Sequence, residues 1–185
     1  MLACRDVRSF LFKASCFQGR TGSQRSGLRW VTLIEEAVLL PAELEADLHG
    51  NIPLTQAMQV RVLEIRPDSV RLGAPLSANI NHHRTAFGGS LATLATLAAW
   101  SLAFLKLKGA GLDCSLVVGS VHMDYLAPVE GDFSARSVLA EPEKWEHVLE
   151  AFARRGKARI PVLAEIDYGG RCAARFKGDF AALAR

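Results

Sequence analysis

Apolar residues recur along this chain with two periods, and the switches between them mark out its elements. Pro41 is placed to open a helix over residues 42–49, with Gly50 as its stop. The preceding residues 30–40 add a turn or two, and Ile52-Pro53-Leu54 ends the helical section. Residues 57–66 alternate, with Met58, Val60 and Val62 on one side and Gln59 and Arg61 on the other, which predicts a strand. Pro67-Asp68-Ser69 turns the chain, and residues 70–74 return as a second strand. The apolar run 91–107 reads as one buried helix of about eighteen residues, broken by Gly109-Ala110-Gly111. A third strand spans 116–126. It puts Val117, Gly119, Val121, Met123 and Tyr125 on one face and Ser120, His122 and Asp124 on the other, and Pro128 closes it. Residues 132–139 alternate through Phe133, Ala135 and Ser137. Trp145, Val148, Leu149 and Phe152 repeat at helical spacing between Pro142 and Gly156. Residues 157–168 alternate again, Gly169-Gly170 makes a hairpin turn, and 171–181 is the last strand.

The sum is an α+β pattern: an antiparallel sheet of about six strands whose concave face needs one apolar helix to cover it. A sheet wrapped around a long central helix is the hotdog arrangement. No repeat or linker divides residues 31–185, so they are expected to form a single domain. The central run carries Thr93, Thr96, Ser101 and Lys106 and stops short of the roughly 20 apolar residues that span a bilayer. No membrane partner is therefore expected.

Charge refines the picture at one end. Residues 1–30 hold six of the 22 basic side chains and one of the 19 acids, leaving the rest of the chain close to neutral. That opening stretch, poor in acids and broken by Gly19, Gly22 and Gly27, is read as a loose basic tail or an over-extended start site in preference to a targeting presequence. Without a basic face on the folded part, a nucleic-acid partner is not expected. Cys4, Cys16, Cys114 and Cys172 show no metal-like or redox spacing and read as free thiols in a reducing compartment, hence the cytoplasm. His82 and His83 are adjacent, no third ligand has recognisable spacing, and no metal is expected.

The chemistry concentrates in Asn81-His82-His83-Arg84-Thr85-Ala86-Phe87-Gly88-Gly89-Ser90, a polar loop that runs straight into the central helix. Two glycines at a helix entry admit a foreign carbonyl closely, because no Cβ stands in the way. The first N–H groups of a helix lack internal partners, and the aligned dipoles make that end partly positive. An oxygen gaining negative charge would be stabilised there.

Asn81 through Trp100, Ser120 through Pro128 and Ile52-Pro53-Leu54-Thr55-Gln56-Ala57-Met58 resemble the YiiD C-terminal type of putative thioesterase, within the hotdog thioesterase superfamily. The resemblance covers roughly residues 40–183, most specifically the stretch FGGSLATLATLAAW. It implies a homodimer or dimer of dimers, with acyl-thioester sites between subunits. Its substrates would be acyl groups on coenzyme A or acyl carrier protein, and the only cofactor moiety is the CoA or phosphopantetheine that enters with the substrate. The common loop of that superfamily carries an Asn, then His-Gly-Gly, then an Asp or Glu seven residues beyond the second glycine. Here Asn81 is kept seven residues before Gly88, Phe87 replaces the His, and Thr96 stands at the carboxylate position.

That departure divides the functional expectations. Hydrolysis of a short acyl thioester needs a base or a carboxylate nucleophile. Thr96 lies nearly two turns, about 10 Å, beyond Gly89 on the same helical side and could relay a proton or simply bond back to its own helix, as could Thr93. His122 with Asp124, offered by a partner subunit, is another base. His82 and His83 could shape the pocket or hold a carrier phosphate, or be ordinary exposed loop residues. Decarboxylation of a malonyl thioester would use the same donors, Asn81 and Gly88–Ser90, for an enolate, needs no base, and would gain from Phe87 keeping water out. A non-catalytic acyl-carrier binder is the third expectation.

Overall fold

The computed structural model describes residues 39–185; the basic tail, Cys4, Cys16 and most of the helical turns expected over residues 30–40 lie outside the described residues. Ten elements follow in order: α1 Pro41–Asn51, α2 Pro53–Ala57, β1 Arg61–Arg66, β2 Ser69–Ala74, α3 Gly88–Gly109, β3 Cys114–Tyr125, β4 Phe133–Leu139, α4 Trp145–Arg155, β5 Lys157–Tyr168 and β6 Arg171–Ala184. All six strands join one antiparallel sheet in the order β1-β2-β4-β5-β6-β3. The tight β5–β6 turn uses Gly169 and Gly170 at φ of 60° and 76°, values that a side chain would resist.

The sheet curls around α3, which packs against β2, β4, β5 and β6 and more lightly against β3. Small residues on both surfaces allow the close approach. Ala95, Ala98, Ala99 and Ala103 of the helix are buried, as are Ala135, Ala164, Ala174 and Ala182 of the sheet. Larger side chains, among them Leu72, Leu94, Leu102, Ile160, Ile166 and Phe180, fill the space around that seam. Ser137 locks it, its buried hydroxyl donating 2.8 Å to the Ala98 carbonyl of α3. This is the hotdog fold.

Several elements depart from their expected bounds. Instead of ending the helical section, Ile52-Pro53-Leu54 opens a second short helix. Pro53 takes its first position, and the Thr55 hydroxyl bonds back to the Leu48 and Ile52 carbonyls. The strand expected from residue 57 therefore starts only at Arg61, after a turn in which Gln59 adopts φ 53°. Met58 and Val60 are buried, so their alternation reported the core correctly and the strand wrongly. The central helix runs for 22 residues, starting at Gly88 and ending at Gly109, and by length and apolar composition it could cross a membrane; here its apolar face lies in the sheet.

The third strand carries a β-bulge between Val118 and Ser120. It reverses the alternation, so Val118, opposite the buried Phe180, shares the helix-facing side with Val121, Met123 and Tyr125, while Val117 joins Ser120, His122 and Asp124 outside.

The two sheet edges are treated differently. Along β1, the Glu45 carboxylate accepts the Val62 N–H at 2.8 Å and His49 bonds the Val60 carbonyl at 2.8 Å, so α1 shields that margin. On β3, Val118, Val121 and Tyr125 are about half exposed on the helix-facing side. No described element covers that edge.

Candidate functional site

Helix α3 begins without a cap. Phe87 occupies the N-cap in extended conformation and makes no side-chain cap bond, where a Ser or Asp would contribute about 1 kcal/mol. The first intrahelical bond runs from Leu91 N–H to the Phe87 carbonyl at 3.1 Å. The N–H groups of Gly88, Gly89 and Ser90 therefore find no acceptor among the described residues. Three free donors stand at the positive end of the longest dipole in the fold, half-buried and open to the exterior.

The loop that delivers them is held from below. Buried Asn79 donates to the Met58 and Pro75 carbonyls at 2.9 and 2.8 Å, and its own carbonyl accepts the Phe87 N–H at 2.7 Å. Ala86 N–H reaches the Val129 carbonyl at 2.7 Å. Asn81 closes the loop on itself. Its Oδ1 accepts from His83 and Thr85 N–H at 2.8 and 3.3 Å, and its Nδ2 donates to Thr85 Oγ1 and the Ala86 carbonyl at 3.0 and 3.3 Å. Both amide hydrogens are thus used, and in this conformation none is left for a substrate carbonyl. The neighbouring Arg84 takes φ 63°, while His82 and His83 are exposed with ring centroids 3.9 Å apart.

Two aromatic rings flank the donors. Phe87, 57% exposed, lies over Gly89, and Tyr125, 54% exposed, lies beside Gly88. The Tyr125 hydroxyl donates to the Gly88 carbonyl at 3.0 Å. A Cβ on Gly89 would overlap Phe87 Cε1, whereas one on Gly88 would rest in ordinary contact, 3.4 Å from Tyr125. So the bare Cα expected to admit a foreign carbonyl at Gly89 is occupied, in this rotamer, by the ring of Phe87. Tyr125 and Asn79 were not singled out from the sequence. Alternation along the third strand already put Tyr125 on one face with Val121, but nothing local marks a phenol as reaching a helix start 37 residues away.

The groups expected to move a proton are placed elsewhere or engaged. Thr96 Oγ donates to the Ala92 carbonyl and Thr93 Oγ to the Gly89 carbonyl, each at 2.8 Å, the back-bonding that helical threonines adopt. Each hydroxyl keeps lone pairs to accept with, but its proton is committed. His122 and Asp124, 3.2 Å apart, stand on the outer face, away from α3, and do not approach Gly88–Ser90 of their own chain. Cys114 is half-buried at the far end of β3, where burial and adjacent Asp113 push its thiol up, the wrong direction for a nucleophile. Among the described residues no three His, Cys, Asp or Glu side chains are grouped to hold a metal.

Two surface cavities lie away from the helix start. One of about 380 Å³ sits at the C-terminal end of α3, around Phe104, Leu112 and Cys114. The other, about 410 Å³, lies against β5 and β6. The donors at Gly88–Ser90 start beside Tyr125 of β3, the edge strand that no described element covers.

Comparison with known proteins agrees with this architecture. A protein of unknown function from Chlorobaculum tepidum is 31% identical, with a TM-score of 0.75 over 81% of this chain and 100% of that one. A structure described as a putative thioesterase from Shewanella oneidensis is 27% identical, with a TM-score of 0.67 over 77% of this chain and 96% of the other. A thioesterase from Haemophilus influenzae, 11% identical with a TM-score of 0.62, shares the fold alone. The family model described as "Putative thioesterase (yiiD_Cterm)" matches residues 41–184, from the first residue of α1 to the last of β6. With that match spanning the whole hotdog sheet and its central helix, the chain belongs to this family of putative thioesterases.

Proposed function

We propose that this protein is a homodimeric enzyme acting on short acyl thioesters of coenzyme A or an acyl carrier protein. The carbonyl oxygen would be held by the free N–H groups of Gly88, Gly89 and Ser90. The observation that carries the reading is the uncapped start of α3: three donors in one place, left unpaired at the expense of a cap, suit an oxygen whose charge grows during reaction. Asn81 contributes by building the loop rather than by touching substrate. His82, His83 and Arg84 form an exposed polar rim beside the donors, suited to a carrier phosphate.

The unequal edges support a dimer. Pairing β3 with its counterpart in a second copy would satisfy its open edge, cover Val118, Val121 and Tyr125, and supply the missing wall over Gly88–Ser90. Half-buried free thiols at Cys114 and Cys172 fit a reducing compartment, which we take to be the cytoplasm.

Thioester hydrolysis is the reading that the family supports. It requires a base from outside the single chain; edge pairing through β3 would keep a partner's His122–Asp124 pair on the outer face of the joined sheet, so that pair would serve only a subunit met face to face, as in a dimer of dimers. A second reading is favoured by one observation. With the Thr96 proton bonded to Ala92 and no acid at that position, the donors would also suit decarboxylation of a malonyl thioester, in which the enolate needs stabilisation but no base.

Incubation with malonyl-CoA, acetyl-CoA and their carrier-protein counterparts, followed by mass spectrometry, separates the readings. Free thiol means hydrolysis, and acetyl thioester from the malonyl substrate means decarboxylation. Binding without either product means an acyl-carrier binder. Thr96→Asp should shift products towards free thiol; an unchanged ratio would place that helical position away from the carbonyl.

A further inference from the structure

The outer face of the sheet holds a cavity that the thioester site does not use. It occupies about 410 Å³ and is lined by Arg155 at the end of α4, Lys157 and Arg159 on β5, and Asp179, Ala181 and Leu183 on β6. Residues 154–159 carry four cations and no acid. Asp179, the one acid on the lining, is held through its Oδ2. It pairs with Arg159 and accepts the Ser120 hydroxyl at 3.2 Å, and the Arg159 bond holds its carboxyl below the usual range. Among the described residues neither Arg155 nor Lys157 has an acidic partner. Two uncompensated cations therefore share one concavity, and an anion bridging them would relieve their repulsion.

The rest of the cavity is shaped for something other than a bare anion. Ala181 and Leu183 form an apolar floor, continued by Val117, which stands directly across from Ala181 on the same face and is 45% exposed. The β-bulge between Val118 and Ser120 falls beside the Asp179 anchor and is what turns Val117 onto this side. The surrounding outer face is balanced. Beyond the exposed Lys177, the cross-strand row Glu64, Arg71, Arg136, Glu165, Arg175 and Asp124 holds three acids and three bases, so the basic character of the cavity does not continue across the sheet as a track for a long polyanion.

We propose that this cavity binds a nucleoside phosphate, with the phosphates on Arg155 and Lys157 and the base against Ala181 and Leu183. The ligand is either a free nucleotide or the nucleotide end of a coenzyme A thioester; the second source rests on the enzyme reading above, and the first does not.

The test is calorimetric titration of the full-length protein with adenosine 3′,5′-bisphosphate, which carries neither thiol nor acyl group and so reports on this cavity independently of turnover. Saturable binding below about 1 mM is expected, weakened about tenfold or more in each of Arg155→Glu and Lys157→Glu, exposed positions whose substitution should leave the thermal midpoint in place. A rise in KM for acetyl-CoA but not for acetyl-phosphopantetheine in those variants would identify the substrate as the source. An unchanged KM with nucleotide binding lost would identify a separate nucleotide. Absence of saturation up to 10 mM (about the weakest affinity worth assigning), equal binding by both variants, or tighter capture by single-stranded DNA or anionic vesicles would each overturn the proposal.

Discussion

Replacing Gly89 with alanine separates two reasons for the glycine: clearance for the Phe87 ring, and clearance for a substrate. The added Cβ would overlap Phe87 Cε1 and stand 2.9 Å from Cζ, so the ring must swing away. That movement is inexpensive. Phe87 is already 57% exposed, and burying a whole phenylalanine is worth only about 1.5–3 kcal/mol, so the ring forfeits about 1 kcal/mol. Alanine regains at most about 1 kcal/mol of helix propensity at the same position. The opposing terms nearly cancel, and the thermal midpoint should move by less than about 4 °C for a domain of this size. Activity should respond differently. If a thioester oxygen approaches the Gly89 N–H, a methyl group beside it blocks a donor whose loss elsewhere costs about 100-fold or more. We therefore expect kcat/KM to fall about 100-fold in Gly89→Ala with the fold intact, measured by thiol release and by differential scanning calorimetry. The decisive comparison adds Phe87→Ala. With the ring gone, the three atoms nearest to a Cβ at Gly89 are all removed, so a loss that persists in the double variant, with its thermal midpoint kept, belongs to the substrate. Should Phe87→Ala/Gly89→Ala match Phe87→Ala in rate, the glycine serves only the ring and the start of α3 is not the carbonyl site.

Tyr125→Phe removes the 3.0 Å bond to the Gly88 carbonyl, which orients the peptide carrying the Gly89 N–H. It should lower kcat with KM unchanged and destabilise the fold by at most about 1 kcal/mol; an effect on KM alone would make the phenol a binding contact. Val121→Lys puts a charge on the half-exposed edge strand and should convert a particle of twice 20.1 kDa into a monomer by light scattering, with activity lost in parallel. A dimer that persists would move the interface elsewhere. Asp179, whose pKa is lowered chiefly by Arg159, stabilises the fold above the unfolded carboxylate value, and that contribution fades as pH falls below about 4. Asp179→Asn should therefore melt lower than wild type at pH 7, with the gap closing in acid; a gap independent of pH would show that the pair's charge is not what matters.

Periodicity carried most of the architecture because burial is nearly binary in a sheet wrapped around one helix. The alternation from Lys157 to Tyr168 and the apolar run through Leu107 needed no tertiary knowledge. It failed where two local causes compete. Met58 and Val60 alternate as a strand would, yet Pro53 and the Thr55 hydroxyl turn the preceding residues into a helix, and burial alone preserved the pattern. On β3 a single extra residue inverted the faces, which alternation cannot register without the partner strand. At the site, the helix start was legible from Phe87-Gly88-Gly89. The internal bonding of Asn81 was not, because an asparagine amide fits a carbonyl from its own loop as readily as one from a ligand.

The unequal margins of the sheet also limit how far this protein can assemble. A lattice of strands grows without end only when every added copy brings a fresh acceptor border. Here Glu45 and His49 shield one border from within, so two molecules joined at the other would present only guarded sides to a third. Association by this route would be self-terminating, which guards a long apolar strand against fibre formation.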